Sequence, residues 1–373
     1  MSRDPYIFKR NIRIMKNNTY TSLRTLSEED KWCIPIIKRG KGPYLYDVDD
    51  NRFVDFFMGN CSLLLGHSEP VITSCIKGWL ARGYAQGYPG PAQTLLSHRI
   101  SDTLGDADDG ETVWTFFNSG WEAGAAVAAC LKPLTEGIYA CDDERRTIFE
   151  QFGFNRVRLD DLKKSGSARF VIVRANGGNV HNGEDGEKLR KTIEATRKRG
   201  CLVIYDETDF ESAVHTGIMG AGGADGRIFG SWLCSGLSFG CVSMSGRLAG
   251  IFTERFRGGS YTAAEGLGFP PLYKVKAALR FLDILKKRGG IQELVRHNRE
   301  FGLLLQKNMV ELKNGLVYIR KEARTTSLRT MLMRAGFYTD PFLSSPLFVS
   351  FAHSGELNRR SAEGLNKLFE SLS

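Results

Sequence analysis

The sequence predicts an α/β fold with a mostly parallel central sheet, because strand-like and helix-like segments alternate through its centre. Arg169–Arg174 (RFVIVR) and Cys201–Asp206 (CLVIYD) are short apolar runs of the kind that form buried strands. A charged, helix-length stretch over roughly residues 184–199 separates them. Two strands joined by a helix form a crossover unit in which they run parallel, so a site is expected at their carboxyl ends.

Aromatic-rich strand patterns precede this central part. Thr112–Asn118 (TVWTFFN) predicts a strand that turns at Ser119-Gly120 into the alanine-rich helix Glu122–Leu131. Residues 42–57 (GPYLYDVDDNRFVDFF) predict a hairpin, in which two strands flank the turn-forming residues Asp49-Asp50-Asn51.

The C-terminal third has the pattern of a smaller α+β domain. After the Gly/Pro-rich segment 258–271, helical patterns run over about 272–288 and 290–313. A short strand is predicted at 347–352 (LFVSFA), followed by a final helix from about 355 to 371.

This change of pattern along the chain predicts a domain division. Residues 71–257 are expected to form the large α/β domain. Residues 1–70 and 258–373 are expected to build a smaller domain together, so that both ends of the chain contribute to it.

Composition and charge restrict the class of protein. The chain has 373 residues, of which 42% are hydrophobic and 25% charged, as in ordinary globular proteins. Its start, MSRDPYIFKR, lacks the apolar core of a signal peptide, and no membrane-spanning apolar run follows, so a cytoplasmic protein without a membrane anchor is expected. The net charge of +9 is compatible with a small anionic ligand. Nucleic acid is not expected as a partner, since no nucleic-acid-binding motif accompanies that charge.

The eight cysteines show no pattern of a metal or disulfide site. They are spread along the chain without a C-x-x-C pair and without a Cys/His cluster at ligand spacing. We therefore expect buried, reduced thiols and no metal.

Four segments, in order along the chain, carry a resemblance to a known family. They are residues 42–71 (GPYLYDVDDNRFVDFFMGNCSLLLGHSEPV), 118–123 (NSGWEA), 204–210 (IYDETDF) and 224–240 (ADGRIFGSWLCSGLSFG), with a weaker fifth match at 346–358 (PLFVSFAHSGELN). The second resembles an N-S-G-T-E-A turn, the third a D-E-V strand end, and the fourth a P-D-x-x-x-x-G-K segment followed by glycines. By these motifs the chain resembles the class III, fold-type I aminotransferases, in the pattern of the glutamate-1-semialdehyde aminomutases.

The resemblance implies a homodimer that binds pyridoxal 5'-phosphate at the subunit interface. This cofactor needs a lysine for imine formation, an acid beside its pyridinium nitrogen, and backbone amides around its phosphate. Asp206 matches the acid, and Ser119 with Gly120 opens the helix at which the phosphate would bind. Thr262 lies where family members reach the phosphate of the neighbouring subunit. Each of these four residues also has a purely structural interpretation, as a cap, a turn or a loop hydroxyl.

Three departures from the family pattern coincide at this site. Ser231 falls at the position of the catalytic lysine, and a hydroxyl cannot form an imine. Trp121 replaces a small hydroxyl residue beside the phosphate, where its indole would fill the phosphate cup. The family's Tyr-His-Gly segment, which stacks on the cofactor ring, is missing after Ile138-Tyr139. Lys274, on the predicted later helix, is expected to be a surface charge.

Three functional hypotheses follow from this combination. The first is a degenerate homologue that has lost lysine-dependent transamination and keeps a binding, structural or regulatory role. The second is an enzyme that binds pyridoxamine phosphate non-covalently, with His67, His181 or His215 as its base. The third is a working aminotransferase or aminomutase whose lysine lies elsewhere than position 231. A lone lysine-to-serine exchange would also suit an engineered trap, but three coincident departures favour the first hypothesis.

Overall fold

The computed structural model describes residues 35–83, 90–104, 112–132, 137–141, 148–158, 161, 168–174, 191–216, 223–256 and 270–371. They belong to two compact units. The terminal unit comprises the described parts of Met1–Asn60, Leu65–Glu69 and Arg296–Ser373, and the sheet unit comprises those of Cys61–Leu64 and Pro70–Val295. Compact units need not be independent folding domains, so the boundaries expected after residues 70 and 257 stay a prediction.

The described strands are numbered in chain order. They are β1 (Ile37–Lys41), β2 (Tyr44–Asp47), β3 (Arg52–Asp55), β4 (Val113–Phe117), β5 (Gly137–Cys141), β6 (Asn155–Val157), β7 (Phe170–Arg174), β8 (Leu202–Glu207), β9 (Gly226–Phe229), β10 (Gly240–Met244), β11 (Val310–Lys313), β12 (Leu316–Ile319) and β13 (Phe337–Tyr338).

The described helices are numbered in the same way. They are α1 (Pro70–Leu80), α2 (Pro91–Leu104), α3 (Gly120–Leu131), α4 (Ile148–Gln151), α5 (191–198), α6 (Phe210–Thr216), α7 (Gly246–Phe256), α8 (Leu272–Lys287), α9 (Gly290–Leu303), α10 (Thr326–Arg334) and α11 (Gly355–Glu370). A left-handed turn covers Met58–Cys61, and short 3-10 turns cover Ser231–Cys234 and Lys321–Ala323.

A seven-stranded sheet organises the sheet unit, in the order β4-β10-β9-β8-β7-β5-β6. Strand β10 runs antiparallel to both of its neighbours, and the pairs from β9 to β6 are parallel. This confirms the predicted α/β architecture with a mostly parallel sheet. Because β10 lies between β4 and β9 and opposes both, these two strands point the same way, and the carboxyl ends of β4, β7, β8 and β9 share one edge.

Both faces of this sheet are covered. Along β7, Phe170 and Ile172 belong to one buried cluster and Val171 and Val173 to another, as expected when alternate side chains of a strand point to opposite faces. The alanine-rich helix α3 packs on β4, β9 and β10. Its small side chains permit a close approach to the sheet, so the apolar character predicted for this helix serves packing.

The terminal unit contains a four-stranded sheet, in the order β1-β2-β3-β13. The predicted hairpin is confirmed by the antiparallel pairing of β2 and β3. The Asp47 carboxylate closes its turn by accepting hydrogen bonds from the backbone amides of Asp49 and Asn51, at 3.0 and 2.8 Å. In the core of this unit the rings of Phe56 and Phe301 stack with their centroids 5.1 Å apart.

The helix predicted over 290–313 is too long. Helix α9 ends at Leu303, and its C-terminus is held by Asn366, whose side chain donates to the Leu304 carbonyl and accepts from the Gln306 amide, at 2.9 and 3.0 Å. Of the residues that follow, Val310–Lys313 form β11, which pairs antiparallel with β12 across Asn314-Gly315. Both turn residues have positive φ, so Asn-Gly, a strong hairpin signal, marks this turn in the sequence.

The strand predicted at 347–352 does not form. Leu347 donates its amide to the Val317 carbonyl, and Phe348 donates to the Phe56 carbonyl, each at 2.8 Å. The Val349 amide is bound instead by the Asn298 side chain, at 2.8 Å. The apolar residues are buried as a strand would be, but successive amides find three different partners, so no ladder develops.

Candidate functional site

The carboxyl edge of the sheet unit brings the sequence-predicted residues together. Ser119 follows β4, Asp206 lies near the end of β8, and Ser231 follows β9 after Gly230. Backbone contacts hold these turns close to one another. A Cβ atom at Gly230 would lie 1.9 Å from the Thr208 carbonyl oxygen, and one at Gly120 would lie 3.0 Å from Gly230 Cα.

Ser119 and Gly120 begin helix α3 with a variant of the capping box, in which the Glu122 carboxylate binds the Asn118 amide instead of the Ser119 amide. The Ser119 hydroxyl accepts a hydrogen bond from the Glu122 amide at 3.1 Å. The Glu122 carboxylate in turn accepts one from the Asn118 amide at 2.8 Å. The Trp121 side chain stays 53% exposed. The expected filling of the phosphate cup by the Trp121 indole therefore stays a prediction. The two hydrogen bonds at the start of helix α3 give Ser119 and Glu122 a structural role.

Asp206 is buried, and both oxygens of its carboxylate accept hydrogen bonds from groups of the same chain. Oδ1 accepts hydrogen bonds from the Thr208 amide at 3.2 Å and from the Thr208 hydroxyl at 2.7 Å. Oδ2 accepts from the Arg174 guanidinium at 3.1 Å and lies 3.5 Å from the Tyr139 hydroxyl. Arg174 also donates to the Thr208 hydroxyl at 3.0 Å and forms an ion pair with Asp209.

Arg174 was not among the sequence-predicted site residues. Its signal lies in the sequence, however: an arginine ends the otherwise apolar run FVIVR, one strand away from Asp206. Because β7 and β8 are parallel neighbours, a charge at the end of one lies beside a charge at the end of the other. Sequence reasoning treated Arg174 only as a strand end, although a nearly buried guanidinium requires a partner.

Ser231 begins the 3-10 turn after β9. Its carbonyl accepts a hydrogen bond from the Gly236 amide at 3.0 Å, whereas its hydroxyl makes none with the residues that the structure describes. The following side chain, Trp232, is fully buried and donates from Nε1 to the Glu207 carbonyl at 2.9 Å. The turn is thus anchored by its backbone and by the tryptophan, and Ser231 contributes no amine.

Lys274 lies beside the Ser119 turn, contrary to the expected surface position. Its Nζ atom lies 3.3 Å from the Asn118 carbonyl oxygen and 3.4 Å from the Asn118 side-chain oxygen. Burial lowers the pKa of this ammonium group, while the Cys234 thiol and the Glu122 carboxylate act in the opposite direction. Lys274 therefore contacts this turn through its amine.

Other predicted residues lie elsewhere or outside the described chain. His67 belongs to the terminal unit, where its Nε2 atom lies 2.7 Å from the Asp55 carboxylate. His215 is buried on α6. Thr262 and His181 lie outside the described residues, as does most of the connection after Tyr139 where the ring-stacking segment was expected.

The described cysteine side chains are free thiols. They are Cys61, Cys75, Cys130, Cys201, Cys234 and Cys241. Burial raises the pKa of Cys130 to about 12 and that of Cys201 to about 11, so both stay protonated and unreactive near neutrality. None of the helices in the described ranges is long and apolar enough to cross a membrane.

Sequence comparison finds relatives over nearly the whole chain, although no family model matches it. The chain is 24% identical over 403 residues to glutamate-1-semialdehyde 2,1-aminomutase from Aeropyrum pernix, covering 90% of this chain and 91% of that protein. It is 25% identical over 408 residues to the enzyme of the same name from Sulfurihydrogenibium sp., covering 90% of each. Both alignments are longer than the chain itself, so this chain lacks segments that these relatives contain.

Solved structures share the fold at lower sequence identity. The internal aldimine form of the FumI protein from Sphingopyxis sp. MTA144 superposes with a TM-score of 0.74 at 15% identity, covering 97% of this chain and 96% of that one. A glutamate-1-semialdehyde aminomutase variant from Pseudomonas aeruginosa PAO1, in complex with PMP, gives 0.71 at 16% identity, covering 99% and 98%. From these similarities and the sheet order, the chain is a homologue of the glutamate-1-semialdehyde aminomutases and has the fold of the class III, fold-type I aminotransferases.

Proposed function

We propose that this chain has lost lysine-dependent transamination and keeps a binding, structural or regulatory role. The observation that carries the proposal is the ion pair between Arg174 and Asp206. A pyridinium nitrogen needs a carboxylate that can accept a hydrogen bond from its N–H group and balance its charge. Here the Asp206 carboxylate already accepts hydrogen bonds from Arg174 and Thr208, and the Arg174 guanidinium balances the charge of Asp206.

The residues at this edge do not fit a covalently bound pyridoxal phosphate. Ser231 cannot form an imine, and an unassisted hydroxyl does not exchange protons near neutrality. A cofactor that entered beside Asp206 would meet the Arg174 guanidinium, a like charge to its own pyridinium nitrogen. These two facts support each other, since a site without its lysine has no need of a free pyridinium acid.

The assembly and ligand belong to the same proposal. We infer a cytoplasmic homodimer, by resemblance to the family, that binds a small anion at the start of α3. The backbone amides of a helix N-terminus and the nearby Lys274 ammonium group support an anionic ligand.

The test combines cofactor titration with two substitutions. The wild-type chain and Ser231→Lys are each incubated with pyridoxal phosphate, followed by visible absorption, borohydride reduction and peptide mapping. We expect no reducible imine in either protein. Ser231→Lys/Arg174→Met should gain one, because it restores the amine and releases Asp206. Ser327→Lys, an exposed lysine in the terminal unit, controls for adventitious adducts.

Each result bears on the proposal. A stoichiometric pyridoxyl adduct in the wild-type chain would refute it. An adduct in the single variant Ser231→Lys would show that Arg174 does not prevent imine formation at position 231. Tight cofactor binding that borohydride cannot trap would favour the hypothesis of non-covalent pyridoxamine phosphate chemistry.

A second candidate is a working aminotransferase or aminomutase that uses Lys274. The position of its amine at Asn118, and the lowered pKa that makes it a better nucleophile near neutrality, favour this alternative. Peptide mapping separates it from the main proposal, because the adduct would then appear on Lys274 in the wild-type chain. Lys274→Arg would abolish that adduct.

A further inference from the structure

A cavity of about 460 Å³ lies in the sheet unit between helices α1 and α8. It is lined by one face of α1 from Pro70 to Trp79, by Arg82 in the turn after that helix, and by Arg280 of α8. The lining positions of α1 recur about every four residues, which places them on one face of the helix. The cavity has the size of a small-molecule site, and neither the resemblance nor the comparisons assign a role to it.

The cavity has an apolar wall that is open to solvent. Trp79 is only half-buried, and Val71, at the other end of the same helix face, is 48% exposed. Between them, a Cβ atom added at Gly78 would have nothing within 4 Å. A flat apolar molecule can therefore lie over Gly78 against the indole ring, and covering this surface would favour its binding.

Three cations lie at the same wall. Arg82 Cζ and Lys276 Nζ are each 4.8 Å from the centroid of the Trp79 ring. Lys276 and Arg280 also lie near the Cys75 thiol, since burial raises the pKa of Cys75 and these two cations act against that rise. Like charges this close repel one another, and an anion bound among them would relieve the repulsion.

Few carboxylates balance these cations. Helix α1 contains no aspartate or glutamate, and no acidic side chain is among the described residues that line the cavity. Arg280 lies 3.8 Å from Asp283, but Asp283 also forms an ion pair with Arg99. Arg82 forms no ion pair within the described part of the chain. The cavity is therefore complementary in charge to an anion.

We propose that this cavity binds a small aromatic carboxylate, with its ring against Trp79 and its carboxylate between Arg82 and Arg280. A guanidinium group suits a carboxylate because two of its N–H groups can donate to the two oxygens. Both arginines are exposed, so water and salt screen their charges and the ring contact must supply part of the affinity. An anion without a ring, or a ring without a charge, should bind more weakly.

The proposal is tested by ligand-observed NMR on the full chain. The probe is naphthoate, and its matched controls are the neutral naphthamide and the ringless anion acetate. We expect saturable binding of naphthoate and at least about fivefold weaker binding of each control. Naphthoate binding should also weaken as the salt concentration is raised, because its carboxylate meets exposed cations.

Two charge-matched double variants locate the probe. Arg82→Gln/Arg280→Gln should weaken naphthoate binding by at least about fivefold, because both guanidinium groups are lost. Arg359→Gln/Arg360→Gln removes the same charge from exposed positions of α11 and should leave the affinity unchanged. Trp79→Leu should weaken the binding of naphthoate but not that of acetate, and circular dichroism establishes that each variant is folded.

Several results would overturn the proposal. The first is the absence of saturable naphthoate binding. Equal binding of naphthamide or acetate would show that the charge or the ring plays no part. An equal loss in both double variants would assign binding to overall charge, and full affinity in Arg82→Gln/Arg280→Gln would place the probe elsewhere, such as at the start of α3. Tighter binding of an acetylated Asp-Phe-Asp peptide than of naphthoate would assign the cavity to a protein partner.

Discussion

The carboxyl edge of the sheet unit and the buried His353 of the terminal unit stabilise buried polar groups in different ways. At the edge, each Asp206 oxygen has partners from the same chain, with Arg174 supplying the opposite charge. In the terminal unit, the His353 ring is buried against Phe56, and its Nδ1 atom accepts a hydrogen bond from the Ser350 amide at 3.1 Å. A buried carboxylate needs an opposite charge beside it, whereas a buried imidazole avoids the cost of burial by staying neutral.

The first test of this comparison removes the charge of Arg174, which pairs with Asp206 at the carboxyl edge of the sheet unit. We expect Arg174→Met to lower the free energy of unfolding by about 3–5 kcal/mol, because the buried Asp206 carboxylate loses its cation. Urea denaturation at neutral pH measures the loss.

The double variant Arg174→Met/Asp206→Leu serves as its control. It should recover most of the stability, because replacing a buried ion pair by apolar side chains is often neutral. A loss below about 1 kcal/mol for Arg174→Met is typical of an exposed ion pair, and it would show that the Asp206 carboxylate does not depend on Arg174 for its stability.

A second change tests the close packing of the turns at the same edge. A Cβ atom at Gly230 would lie 1.9 Å from the Thr208 carbonyl oxygen, so Gly230→Ala should cost about 3 kcal/mol by forcing the turns apart. Gly250→Ala is the matched control, since nothing lies within 4 Å of its added Cβ at this exposed position of helix α7.

In that control the substitution should stabilise the chain by about 0.5–1 kcal/mol, as alanine does in a helix interior. Thermal unfolding of both variants gives the comparison. Equal stability of the two would contradict the contact between the Gly230 and Thr208 turns.

The third and smallest effect comes from the buried side chain of His353. In the native chain the pKa of His353 is lowered to about 4, below the 6.5 of an ordinary histidine. Between these values the unfolded chain binds a proton that the native chain does not, so stability is complete above pH 6.5 and is lost as the pH falls towards 4. From pH 7.5 to pH 5 the expected loss is about 2 kcal/mol.

Urea denaturation at both pH values measures it, with His353→Leu as the test variant. The difference between wild type and His353→Leu should shrink by that amount at the lower pH, while exposed His98→Leu should follow the wild type. A pH-independent difference would mean that His353 is protonated in the native chain.

Much of the fold could be predicted from local signals. The strands around residues 113–117, 170–174 and 202–207 and the helix at 272–287 lie within about two residues of their predicted bounds, because apolar runs and helical periods are properties of a short segment. The hairpin of β11 and β12 also had a local signal, in Asn314-Gly315, that was overlooked. The segment 347–352 had no such signal, because its amides are bound by Asn298 and by two separate backbone carbonyls.

The candidate site residues show the same difference between what local sequence predicts and what tertiary contacts decide. The sequence by itself determined the resemblance to the aminotransferase family, the position of Ser231 after an apolar strand and the placing of Asp206 at a strand end, since each depends on residue order and spacing. Only the tertiary structure decided that Arg174 pairs with Asp206, that Lys274 reaches Asn118, and that the His353 ring stacks on Phe56. Ion pairing and desolvation depend on distances between side chains far apart in the chain, and those distances exist only once the elements have packed.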